Sequence, residues 1–159
     1  MPNMGIFNAH PPGYVNPVNL RVSAALPAAG AWDATPVESF CAGADTLTLS
    51  LTYTRGAAGG AFEFQMQVSI YGAVGSVPAG ADEWVTEAIY AGGAVVAGAD
   101  TTSLIQRELE RYTSQGAAAE SFPYGPIEIK QGIQRVRIRA RESGVILTPG
   151  VLQVSGVLL

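Results

Sequence analysis

The chain has 159 residues and a formal net charge of −4, from 9 basic and 13 acidic side chains. That is the length of one domain, and a domain of this size buries roughly 70% of its unfolded surface without needing staples; its single cysteine, Cys41, excludes an intrachain disulfide. The negative balance argues against general nucleic-acid affinity, which needs cations to displace counterions from phosphates, and no run reaches the roughly 18 apolar residues of a membrane span.

Residues 1–17 hold Pro2, Pro11, Pro12 and Pro17 among several Asn and Gly. Proline fixes φ and removes a donor, so the segment is expected to be an extended arm rather than a helix or a central strand. Ile6, Phe7, Tyr14 and Val15 make it too apolar for a solvated tail. Such an arm lies along its own domain or a neighbouring subunit; the plain alternative is a frayed terminus. Its first residues, Met1-Pro2-Asn3-Met4, lack the basic and apolar regions of a secretory signal, so the chain is expected to be made in the cytosol.

Residues 18–159 read as a single β-sandwich domain. Residues 19–26 alternate Leu20, Val22, Ala24 and Leu26 against Arg21 and Ser23, a first strand, and 37–41 form a short second one. Cys41, beside Phe40, reads as a small buried hydrophobe. Residues 46–55 and 61–71 alternate almost without a break: Leu47, Leu49, Leu51 and Tyr53 oppose threonines and a serine, and Phe62, Phe64, Met66, Val68 and Ile70 oppose Glu63, Gln65, Gln67 and Ser69. Period two over such lengths predicts a long antiparallel hairpin with one buried face.

A loop over 72–81 leads to a strand at 83–90, broken by Ala91-Gly92-Gly93. Residues 101–113 fit two patterns: a helix capped at Asp100, Thr101 or Ser103 with Ile105, Leu109 and Tyr112 on one face, or a strand. The strand is preferred because every neighbour is β. A loop at 116–126 surrounds Phe122-Pro123-Tyr124, and strands follow at 127–130, 133–141 and 151–159. Eight or nine short strands with regular turns predict an all-β antiparallel sandwich, jelly-roll-like.

The surface is the first pointer to function. Charged residues are 14% of the chain, against about 25% in an average soluble domain, and Lys130 is the one lysine. A surface of Ala, Gly, Ser and Thr suits contact with neighbouring proteins at little side-chain entropy cost. The rival is a compact thermostable monomer.

The second pointer is a row of arginines. Arg135, Arg137, Arg139 and Arg141 alternate with Val136, Ile138 and Ala140, and they are half of all the arginines. Strand geometry sets four guanidiniums on one face. They require compensation, and Glu128, Glu142, Glu108 and Glu110 are the candidate carboxylates. Three outcomes stay open: a ladder of ion pairs within the chain, each contributing roughly 0.2–1 kcal/mol; an intersubunit contact through arginine's bidentate fork; or binding of a glycan or other polyanion. Trp32 and Trp84 read as core or interface anchors before sugar platforms.

Catalysis finds little. The one histidine, His10, sits in the proline-rich arm, which offers no rigid base for a triad. Asp33, Asp45, Asp82 and Asp100 fall in turns, where Asp serves the backbone. No run of alternating Asp suggests calcium, and the Gly-rich stretch at 56–60 lacks the Lys-Ser/Thr of a phosphate loop. No enzymatic activity, cofactor or metal is expected.

The strings 45–60 with 62–70, and 135–144 with Pro149-Gly150, resemble tailed-bacteriophage virion proteins, small all-β proteins that decorate heads or join tail structures. The resemblance spans residues 45–155. It implies a structural role in the virion, and first a capsid decoration (cement) protein bound to the major capsid protein as a trimer or other symmetric homo-oligomer. Neither nucleic acid nor membrane is implied as a partner, and no catalytic residue is carried over. The assembly residues expected are Ile6, Phe7, Tyr14 and Val15 of the arm, and Arg135, Arg137 and Arg139 of the row. The alternatives are a glycan- or host-binding module of a head or tail fibre, and a tail or filament building block.

Overall fold

The computed structural model describes residues 16–27, 31–54, 56, 61–93, 106–108, 120–143 and 148–159. These residues form β1 (Asn16–Ala25), β2 (Glu38–Phe40), β3 (Thr46–Thr54), β4 (Ala61–Ser69), β5 (Val85–Gly93), β6 (Gln106–Glu108), β7 (Glu120–Glu128), β8 (Arg135–Ser143) and β9 (Val151–Leu158), with one 3-10 turn at Val74–Ser76. The fold is all-β and sandwich-like. One antiparallel sheet has the order β1-β9-β3-β7; the other runs β2-β8-β4-β5, with the three residues of β6 added in parallel at its β5 edge.

The alternation in β3 and β4 buries the side chains it should except Ile70, which falls past the end of β4 and is exposed. Leu47, Leu49, Leu51 and Tyr53 of β3, and Phe62, Phe64, Met66 and Val68 of β4, all enter the core. The two strands do not, however, form the expected hairpin. β3 pairs with β7 and β9, whereas β4 pairs with β5 and β8, in the other sheet. They meet face to face across the core, where the Tyr53 and Phe62 rings lie 4.7 Å apart. Each is an interior strand of its own sheet, so its backbone groups find partners on both sides. Tyr90 of β5 continues this aromatic seam, stacked on Phe64 at 4.8 Å and edge-on to Tyr124 of β7 at 5.2 Å.

Three further boundaries differ from the sequence pattern. β1 begins at Asn16, taking the last two residues of the expected arm into the sheet. It is an edge strand with β9 as its sheet neighbour, so Pro17 is tolerated there. Residues 1–15, with Ile6, Phe7, Tyr14 and Val15, lie outside the described residues. β5 runs on through Ala91, Gly92 and Gly93, which pair with Glu63, Phe62 and Ala61. β7 occupies most of the expected loop at 116–126, with Pro123 and Pro126 inside it. It too is an edge strand, and its pairing with β3 shifts register between Leu47 and Leu49. Of 101–113, the described residues 106–108 are strand.

Cys41 is buried in the core cluster, and burial pushes its thiol up to about 11. A thiol so protonated and enclosed is inert. Glu142 also points inward: the Tyr53 hydroxyl donates to its Oε1 at 3.4 Å and the Gly150 N–H to its Oε2 at 3.0 Å.

Candidate functional site

The arginine row stands on β8, whose Val136, Ile138 and Ala140 are wholly buried on the opposite face. Its neighbours are fixed by register. Arg135, Arg137, Arg139 and Arg141 oppose Ser69, Gln67, Gln65 and Glu63 of β4, and Arg137 and Arg135 oppose Glu38 and Phe40 of β2. The face that β4 turns away from the core is therefore not a solvated one. Glu63, Gln67 and Ser69 are buried on it, in a second, polar layer outside the sheet.

The ends of the row are neutralised within the chain. Arg135 is buried; its Nε donates to the Tyr71 carbonyl at 2.7 Å, one Nη to Glu38 at 2.7 Å, and the other to Glu83. Burial lowers the pKa of that guanidinium, but its hydrogen bonds to Glu83 and Glu38, with their negative charges, outweigh it and the net shift is upward. Arg141 is also buried and its Nε and Nη2 bind Glu63 Oε2 at 2.9 and 2.8 Å. Two indoles cover the layer: Trp84 lies 4.2 Å from the Arg137 guanidinium and 4.9 Å from that of Arg135, and Trp32 lies 4.2 Å from that of Arg141. Cation–π contacts of this kind hold a guanidinium flat against the ring.

The middle of the row differs. Arg137 Nε donates to Gln67 Oε1 at 2.8 Å and Arg139 Nε to the Asp33 carbonyl at 2.9 Å. Both are half-buried, and neither makes an ion pair among the described residues. Burial, then the charge of Arg139, holds Arg137 below its ordinary pKa despite Glu38 and Glu83 nearby.

The carboxylates of the ladder are thus Glu38, Glu83 and Glu63, not those expected. Glu142 faces the core, Glu128 stands on β7 in the other sheet, and the side chains of Glu108 and Glu110 lie outside the described residues. Asp33 is more than a turn residue. It takes Arg21 Nε and Nη2 at 2.8 and 3.1 Å and the Ala140 N–H at 2.8 Å, tying β1 to β8. Arg21 is buried beside two register shifts in β1; its Nη groups donate to the carbonyls of Ala24, Ala25 and Leu152. These partners come from loops and short edge elements, where no periodicity announces them.

A second surface lies at one end of the sandwich. The connections 41–45, 70–84 and 129–134 gather there, with Asn16 at the start of β1 and Leu159 after β9. Four of the six exposed large apolar residues among those described sit at this end: Phe40 (56% exposed), Ile70 (62%), Val85 (56%) and Leu159 (47%). Ile70 continues the inward-facing series of β4 past the edge of the core. Behind it, Met66, Val68, Ile129 and Ile133 close a gap of about 10 Å³, room for one water at most. An open cleft of about 170 Å³ on the flank is lined by Arg21, Val22, Asp33 and Val37, smaller than the roughly 300–1,000 Å³ of small-molecule sites.

Among the described residues, no three His, Cys, Asp or Glu side chains come together as a metal site. No family model, curated protein or solved structure matches the chain.

Proposed function

We propose that this chain is a non-enzymatic structural subunit of a virion, a jelly-roll decoration protein that associates through its apolar end with copies of itself, as a trimer, on a coat lattice. The orders β1-β9-β3-β7 and β2-β8-β4-β5 support an eight-strand jelly-roll winding, with β6 as an addition to one edge; capsid domains and lectins use that architecture. The observation that carries the reading is the clustering of Phe40, Ile70, Val85 and Leu159 at the end where the chain enters β1. Four exposed large apolar side chains at one end of a charge-poor protein suit a contact with another protein. The segment 1–15, with Ile6, Phe7, Tyr14 and Val15, joins the domain at that same end and adds to the contact. Arg135, engaged by three partners in its own chain, drops out of the assembly residues; Arg137 and Arg139 remain available.

The test is occupancy on purified particles. Phe40→Glu with Ile70→Glu, and separately deletion of 1–15, should leave a folded domain by circular dichroism yet abolish incorporation. Full occupancy by both variants would overturn the reading.

A further inference from the structure

The cleft on the flank is small for a free ligand and the right size for one side chain. Its volume of about 170 Å³ compares with the roughly 150 Å³ of a cavity that admits benzene. Val22 (54% exposed) and Val37 (38%), the two exposed large apolar residues away from the apolar end among those described, both line it. Its charged residues, Arg21 and Asp33, pair with each other, so the wall asks for no ion. Arg21 also takes the carbonyls of Ala24 and Ala25. With those edge acceptors engaged, an extended segment is held there by a side chain in the cleft and not by strand pairing.

The chain carries an occupant of the right chemistry. Residues 1–15 have no Asp, Glu, Lys or Arg, and two aromatic residues, Phe7 and Tyr14. β1 starts at Asn16 at the apolar end, and Val22, further along it, lies about 20 Å away. Tyr14, just ahead of Asn16, spans about 7 Å of that, whereas Phe7 spans about 30 Å. The arm's own cleft is out of register. A reversal at Pro12-Gly13, the turn residues of the arm, sets Phe7 beside Val18, about 13 Å short of Val22. A copy docked on the apolar end receives the arm without a reversal, because β1 begins at that end and runs away from it. We propose that Phe7 of each copy seats in the Val22–Val37 cleft of its neighbour. The proposal rests on the assembly reading, whose contact at the apolar end brings the two chains together.

The test is cross-linking of the full chain carrying Asn8→Cys and Thr35→Cys, which leave Phe7, Val22 and Val37 in place; Thr35 is exposed and lines the cleft. Cys41, buried with its thiol pushed up to about 11, does not compete. A short bis-maleimide should join the two new thiols between chains, giving covalent multimers on a denaturing gel. Phe7→Ala in the same background should slow the linkage about tenfold or more, the loss expected for a buried phenyl ring. Val22→Glu with Val37→Glu should do the same; should that variant fail to fold, Phe7→Ala, ahead of β1, carries the test. Linkage within single chains would make this a self-docked arm and overturn the proposal, as would linkage indifferent to Phe7→Ala. Light scattering before linkage separates the two readings. A protein at one chain's mass refutes the assembly reading and the arm exchange with it, whereas an oligomer that does not link refutes the arm exchange alone.

Discussion

Glu63 and Arg141 show how a charged pair is carried in the outer layer of this sheet. Both are buried, and two nitrogens of the guanidinium share one carboxylate oxygen while Trp32 covers the cation. Removing one partner of such a pair strands the other, a loss of about 3–5 kcal/mol in comparable cases. Glu63→Ala should therefore lower stability by that order in urea denaturation, far more than Glu63→Ala together with Arg141→Met; equal losses would show that the pair does not act as a unit. The exposed pair of Lys130 and Glu87 contributes little by comparison. At this scale the sequence was half legible. Spacing along β8 put four arginines on one face, because strand alternation is a local rule. Their partners were not legible, because Glu38, Glu83 and Asp33 reach the row from a short edge strand and two connections, and tertiary closure decides that.

Strands show the same division. The buried face of β3 and of β4 follows from alternation, but the choice of partner does not: neighbours in sequence crossed to opposite sheets, and each pairs with strands far along the chain. β7 was hidden by Pro123 and Pro126, which bar a central strand and permit an edge. β5 ran on through Gly92 and Gly93, which read as a break. Close approach at the end of the β8–β9 connection gives a test of the observed pairing. A Cβ on Gly150 would lie 2.6 Å from the Tyr53 ring and 2.7 Å from the Thr54 carbonyl, too close without backbone movement. Gly150 also donates its N–H to the buried Glu142. Gly150→Ala should cost about 1–3 kcal/mol, the usual penalty for overpacking a filled site, and lower the melting temperature; an unchanged melt would contradict this packing of β9 beside β3.

For the molecule as a whole, composition and shape point the same way. Few charges are available, and several of them are spent inside: Arg21, Glu63, Arg135, Arg141 and Glu142 are all buried. Among the described residues, water therefore meets mostly small neutral side chains and, at one end, four large apolar ones. The low charge was legible in composition; the gathering of Phe40, Ile70, Val85 and Leu159 was not, because they come from four separate strands or strand ends and only the topology aligns them. The most direct measurement is the mass of the full chain in solution by light scattering. A multiple of 16.5 kDa, three chains on the reading above, should fall to a single chain in the Phe40→Glu, Ile70→Glu double variant. A wild-type protein that stays at one chain's mass at high concentration, unaltered by that double variant, would contradict the claim that this end is built for contact with its own kind.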